Sequence, residues 1–107
     1  MSEFCDVNMS VVNNVWIKQM VFKEAGVIAQ THSHTFDHQT LLATGRLRVM
    51  TGLVLRDYAA PAIILIQAGV HHRMESLVPN TVAYCIHALT DEPLVRGIEN
   101  EDLHSLA

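Results

Sequence analysis

Three histidines fall within seven residues of this chain, and their spacing restricts the backbone that carries them. They are His32, His34 and His38. Residues two positions apart point about 200° apart around a helix, whereas they lie on the same face of a strand. At a rise of about 3.3 Å per residue, His32 and His34 of one strand are close enough to share a metal ion. Because imidazole is the commonest protein ligand for transition metals, the spacing predicts a β-protein built around a metal.

The rest of the chain also favours strands. Turn signals recur every eight to twelve residues and helical periodicity is weak, a pattern typical of an all-β sandwich or closed barrel. The predicted strands cover residues 15–22, 27–34, 38–44, 46–51, 53–58, 62–67, 70–77 and 82–89. We expect Gly52 to form a hairpin turn between its two neighbouring strands. We expect the strand at 62–67 to be fully buried, because its residues are almost all apolar.

Length and composition limit the organisation of the chain. Its 107 residues predict a single domain, 1–107, with one core. Residues 1–13 are expected to be a loose segment or an edge strand, and residues 90–107 an acidic tail or a short helix. No apolar run approaches the ~20 residues that span a bilayer, and the first residues do not resemble a signal peptide. We therefore expect no membrane association and a cytoplasmic location.

Charge and cysteine content exclude other classes. The net charge is −4 with seven Lys and Arg residues, which argues against a nucleic-acid partner because phosphate binding needs clustered cations. Arg46 and Arg48 share one strand, where they either form a solvated face or orient an anionic substrate. Cys5 and Cys85 predict reduced thiols rather than a disulfide framework.

The glycines that flank the three histidines complete a longer pattern. The pattern begins with Gly26, and five residues then precede His32-Ser-His34. Three more residues precede His38, and six more precede Gly45. This pattern resembles the first motif of the cupin superfamily, with His38 where the motif has glutamate. If the turn shifts by one residue, Asp37 or Gln39 takes that place instead.

A second segment resembles the second cupin motif. It reads Gln67-Ala-Gly69-Val-His71-His72, with Gln67 at the position of the motif's proline. Ser76 stands where the motif often has asparagine. The two segments together cover residues 26–76.

The resemblance implies a fold, a site and an assembly. The fold is a double-stranded β-helix, a small jelly-roll barrel that is usually a homodimer and holds one divalent metal in its mouth. Carried over by position, the metal ligands are His32, His34, His38 and His72. Such a donor set suits Fe, Mn, Ni, Cu or Zn alike. We expect the apolar strand at 15–22 to offer the edge for dimer pairing.

Two further histidines lie near these motifs. His71 neighbours His72 but faces the opposite side of its strand, so we expect it at the surface or rim. His87 shares a face with Cys85 and Leu89 on the last strand. If that face is inward, His87 either supports the metal ligands, lines the pocket or is a satisfied core histidine.

An all-histidine site has a chemical consequence. Four neutral imidazoles leave a divalent ion with its full charge, so it favours anionic ligands and acts as a strong Lewis acid. The resemblance therefore predicts a mononuclear non-haem metalloenzyme, dioxygenase-like or a lyase or isomerase, acting on a small anionic molecule. The alternatives are a non-catalytic module that binds a metal or small ligand, and a barrel in which the metal is only structural.

Overall fold

Strands make up all the regular structure of the described part of the chain, as the turn pattern predicts. The computed structural model describes residues 4–32, 38–67 and 69–89, with the backbone alone at positions 30–32 and 38. The strands are β1 (Asp6–Val12), β2 (Val15–Phe22), β3 (Ile28–His32), β4 (His38–Thr44), β5 (Arg46–Thr51), β6 (Val54–Ala59), β7 (Ala62–Ile66), β8 (His72–Ser76) and β9 (Thr81–Ala88). The all-β fold class is confirmed. Within these residues, no helix is long and apolar enough to cross a membrane.

The strands form two antiparallel sheets that enclose the core between them. The five-stranded sheet has the order β1-β2-β9-β4-β7, and the four-stranded sheet has the order β3-β8-β5-β6. Side chains alternate across each strand, so every second residue contributes to the inward face, which is the face turned toward the other sheet. In β2 this face carries the apolar Trp16, Met20 and Phe22 together with the buried Lys18. The three apolar residues on this face pack in the core, so β2 forms part of the core although it also carries a lysine there.

Most predicted strands match the observed ones closely. β2, β4 and β5 have the predicted bounds, β3 begins one residue later than predicted, and β6 to β9 differ from their predicted bounds by one or two residues at one or both ends. Thr51 pairs with Val54 across Gly52, so the predicted hairpin is confirmed. The end of the strand predicted at 27–34 lies outside the described residues, as does the acidic segment from position 90 onward.

The prediction that residues 62–67 form a fully buried strand is wrong. β7 ends at Ile66, and only Ile64 and Ile66 are buried, whereas Ile63 is 70% exposed and Leu65 57% exposed. β7 lies at an edge of the five-stranded sheet, and only its inward face is covered. In this two-layer fold a strand buries only the residues that face the other sheet, whatever its composition.

The prediction that residues 15–22 offer a free edge is also wrong. β2 pairs with β1 along one side and with β9 along the other. The outer strand is β1, so residues 6–12 form an edge strand. Homodimer formation itself stays a prediction.

A buried serine joins the end of β8 to the turn that precedes β3. The Ser76 hydroxyl donates to the carbonyl of Glu24 at 2.6 Å and accepts from the N–H of Val27 at 3.0 Å. The backbone N–H of Gly26 donates to the Ser76 carbonyl at 2.8 Å. Ser76 therefore holds the first glycine of the histidine motif against the strand that carries His72.

Replacing Gly45 should destabilise the fold more than replacing Gly52. Both glycines have positive φ, at 84° and 60°, but a Cβ on Gly45 would lie 2.7 Å from the Cα of Thr81, whereas one on Gly52 meets nothing within 4 Å. We expect Gly52→Ala to lower the free energy of unfolding by about 1 kcal/mol, and Gly45→Ala by roughly 3 kcal/mol or more. Urea denaturation of both variants measures this difference. Equal losses would show that the contact with Thr81 has no energetic effect.

Candidate metal centre and adjoining cleft

His72 is a buried histidine at the start of β8. It is 6% exposed, and it alternates with the exposed His71 and Arg73. Its Nδ1 lies 3.4 Å from the carbonyl oxygen of Val70. Histidines that bind metals commonly direct their other ring nitrogen at a backbone carbonyl, which fixes the tautomer and the ring orientation. The environment of His72 is therefore suited to a metal ligand.

The strand register brings the first predicted ligand position next to His72. The Cα atoms of His32 and His72 are partners in the β3–β8 pair, and the ladder has an irregularity between Ala29 and His32. On its other side, His72 is the partner of Thr51 in β5. Directly opposed positions of antiparallel strands have Cα atoms about 4.5–5.5 Å apart. Positions 32 and 72 are thus neighbours on one sheet.

The third predicted ligand position lies on the other sheet. His38 begins β4, where its Cα is the partner of Ile66. Gln39, the alternative to His38, is exposed and alternates with the buried Thr40, so it lies on the outer face. The side chains of His32 and His38, and the whole of His34 and Asp37, lie outside the described residues.

The described side chains alone contain no group of three or more metal-binding residues, and they include only one of the four predicted ligands. The ligand set therefore stays a prediction.

His87 lies on the inward face of β9. It is half-buried, it follows the buried Ala83 and Cys85 on that face, and its partner in β2 is Trp16. Gln39 of β4 pairs with Ile86, so His38 and His87 are the next positions along these two strands. His87 thus belongs to the same end of the barrel interior as the predicted metal ligands.

A cleft of about 470 Å³ adjoins His72. Two residues that line the cleft are neighbours of His72: Thr51 is the cross-strand partner of His72, and the carbonyl of Val70 faces the His72 ring. The volume falls in the range typical of small-molecule sites. The cleft is lined by Val49, Thr51, Val54, Arg56, Tyr58, Ile64, Leu65, Gln67 and Val70.

The two arginines singled out from the sequence do not line this cleft. Arg48 donates from Nε and Nη2 to the two carboxylate oxygens of Asp57, at 2.8 and 3.0 Å, on the outer face of the four-stranded sheet. The hydrogen bond from Arg48 lowers the pKa of Asp57. Arg46 is exposed. Arg56, which was not predicted as a site residue, lines the cleft. Its cross-strand pairing with the buried Val49 places it on the inward face of β6.

The two cysteines are poorly activated. Cys85 is buried beside the Thr40 hydroxyl, with Sγ and Oγ1 3.4 Å apart. Burial raises its pKa above the usual 9.0, while the Thr40 contact and the charge of Lys18 act in the opposite direction. Burial also raises the pKa of Cys5, which is half-buried. Both thiols are free, as predicted.

Comparison with known proteins identifies the fold. No protein-family model matches the sequence, and no curated protein sequence matches it. An RmlC-like cupin family protein from Methanocaldococcus jannaschii is similar in structure, with 13% identity and a TM-score of 0.69 over 81% of this chain and 82% of that one. A cupin 2 conserved barrel domain protein from Salinispora arenicola has 15% identity and a TM-score of 0.70 over 87% and 81%. KdgF from Halomonas sp. has 11% identity and a TM-score of 0.67 over 82% and 81%.

These likenesses define the architecture. The two sheets form a double-stranded β-helix, and the first of the similar structures is described in the same terms. The chain has the cupin fold, as its glycine and histidine motifs predict.

The thiols should react slowly in the folded protein. Thiolates are the reactive species, and burial raises the pKa of both thiols further above neutral pH. We expect labelling by an aromatic disulfide reagent to be at least about tenfold slower in native protein than in urea, with Cys5 reacting before Cys85. The variants Cys5→Ser and Cys85→Ser isolate each thiol. Native Cys85 reacting as fast as unfolded Cys85 would contradict its burial.

Proposed function

We propose that this chain binds one divalent transition metal ion through His32, His34, His38 and His72. We propose further that it is a mononuclear non-haem metalloenzyme acting on a small anionic molecule, with a dioxygenase-type reaction preferred over a lyase or isomerase reaction. The observation that carries the proposal is the position of His72, which is buried, opposite position 32 and beside an open cleft.

The donor set is chemically consistent with such an ion. Neutral imidazoles suit Fe, Mn, Ni, Cu and Zn. The Val70 carbonyl near Nδ1 of His72 favours ligation through Nε2, because it favours the tautomer with the proton on Nδ1. When bound, the ion would supply Lewis-acid or redox chemistry to a substrate anion.

The cleft supports substrate access to the site. A site closed on all sides suits a structural metal, whereas a catalytic metal needs an open position. The apolar Val49, Ile64 and Val70 offer apolar contacts to a substrate, and the polar Thr51 and Gln67 offer hydrogen bonds for orienting it. These features favour the enzyme over the non-catalytic binding module.

The sequence also supports a cellular context. We propose a cytoplasmic homodimer that binds neither nucleic acid nor membranes. β1 is the edge strand that a second copy would meet on this side of the five-stranded sheet.

Metal binding should distinguish two adjacent histidines. We expect His72→Ala and His34→Ala to abolish binding of zinc or iron, whereas His71→Ala retains it, because His71 is exposed on the opposite face. Elemental analysis after metal loading and gel filtration measures the metal content. Metal affinity of the unaltered chain should fall as pH drops through roughly 6.5, where imidazole becomes protonated. Equal losses at positions 71 and 72 would contradict the proposed site.

Catalysis should appear as oxygen consumption. We expect the iron-loaded protein to take up O₂ with at least one member of a panel of β-dicarbonyls, enols and thiols, measured with an oxygen electrode. His72→Ala is the inactive control and His71→Ala the active one. A flat response across the panel would refute the dioxygenase reaction. If chelation then lowered only the melting temperature, the metal would be structural.

A further inference from the structure

Arg56 lies on the inward face of β6, where it is exposed to solvent in the open cleft. Its cross-strand partner is Val49, which is buried in the core, and its side chain lines the cleft. Tyr58, two residues further along the same face, is opposite the buried Leu47 and also lines the cleft. An arginine and a phenol thus stand side by side on one wall of the cleft.

The charge of Arg56 is not neutralised by its neighbour in sequence. Asp57 lies on the outer face of β6, where Arg48 occupies both of its carboxylate oxygens. The described residues that line the cleft include no carboxylate, and the ion pairs of the described side chains do not involve Arg56. In the described part of the chain, the cleft therefore carries one positive charge without a counter-ion.

The surroundings of Arg56 select among anions. A guanidinium group matches the two oxygens of a carboxylate in a planar, bidentate geometry. The nearby Val49 and Ile64 suit an apolar body. One cation neutralises a carboxylate, whereas a phosphate dianion would leave a negative charge against apolar walls.

We propose that Arg56 binds the carboxylate of a small organic acid with an apolar body, and that Tyr58 contributes to the same subsite. The inference deepens the proposed function and rests on it for the orientation of the ligand. β5 separates the strands of Arg56 and His72, and His72 lies two residues along β8 from the position level with Arg56. Their Cα atoms are therefore about 12 Å apart. A short acid bound at Arg56 would therefore direct its other end toward His72.

The test compares three probes of similar shape: phenylacetate, its neutral amide phenylacetamide, and benzylphosphonate. Each is titrated into the full chain, both metal-free and zinc-loaded, while backbone amide NMR signals are followed. We expect phenylacetate to bind at millimolar concentration and to shift signals of residues 49–58. The amide and the phosphonate should bind several-fold more weakly. Tightest binding of the amide or of the phosphonate would overturn the proposed ligand class.

Substitution of the arginine should remove the preference for the acid. We expect Arg56→Gln to weaken phenylacetate binding at least about tenfold, the loss of one charge-assisted bidentate contact. Arg73→Gln is the matched control, because Arg73 lies on the outer face of the same sheet in a groove with Arg48 and Glu75. Arg56→Lys, which keeps the charge but loses the planar fork, should bind with intermediate affinity.

The outcomes separate this inference from the metal proposal. Equal effects of Arg56→Gln and Arg73→Gln, or signal shifts outside the cleft, would overturn the role of Arg56 even if zinc binds through the histidines. Carboxylate binding that depends on Arg56 in a chain without affinity for zinc would support the subsite and refute the metal centre. The dispersion of the NMR spectrum shows whether each variant is folded. If Arg56→Gln does not fold, Arg56→Lys decides, and binding equal to that of the unaltered chain would count against the bidentate contact.

Discussion

The register of β8 between β3 and β5 is the constraint on which the candidate site depends. Side chains alternate along a strand, so a shift by one residue would exchange His72 for His71 on the inward face. At the far end of β8, Ser76 holds this register through its hydroxyl contacts and through the N–H of Gly26. The same register places Thr51 beside His72. This register therefore positions the part of the cleft and of the proposed metal centre that lies on the four-stranded sheet, whereas Ile64 and position 38 belong to the other sheet.

The fold was predictable from the sequence wherever the local pattern determines the outcome. Alternating apolar residues and glycine turns identified β2, β4, β5 and the hairpin at Gly52, because both signals act within a few residues. The apolar run 62–67 does not identify the exposure of Ile63 and Leu65, because such a run is compatible with a strand covered on both faces and with one covered on a single face. Which strand lies at the edge depends on pairing between distant segments, and β1 and β7 occupy the edges of the larger sheet.

The candidate site was predictable in part for the same reason. The adjacent His71 and His72 were expected on opposite faces, and one is exposed while the other is buried. Which arginine lines the cleft depends on the hairpin register. With Gly52 alone as the turn, β6 would begin one residue earlier, whereas the observed turn includes the fully exposed Leu53. That single position decides whether Arg56 lies on the inward or the outer face.

The division of charge along β6 gives the cleft its electrostatic character. The Arg48–Asp57 pair is exposed, so solvent screens it and it contributes little to stability. The pair matters for position, because it holds the carboxylate of Asp57, the neighbour of Arg56 in sequence, on the outer face. Arg56 is exposed in the open cleft on the other side of β6, near the apolar Val49 and Ile64 and away from the Asp57 carboxylate. The net charge of the chain is negative, yet the local arrangement favours an anion in the cleft, because the nearest charges determine the field there.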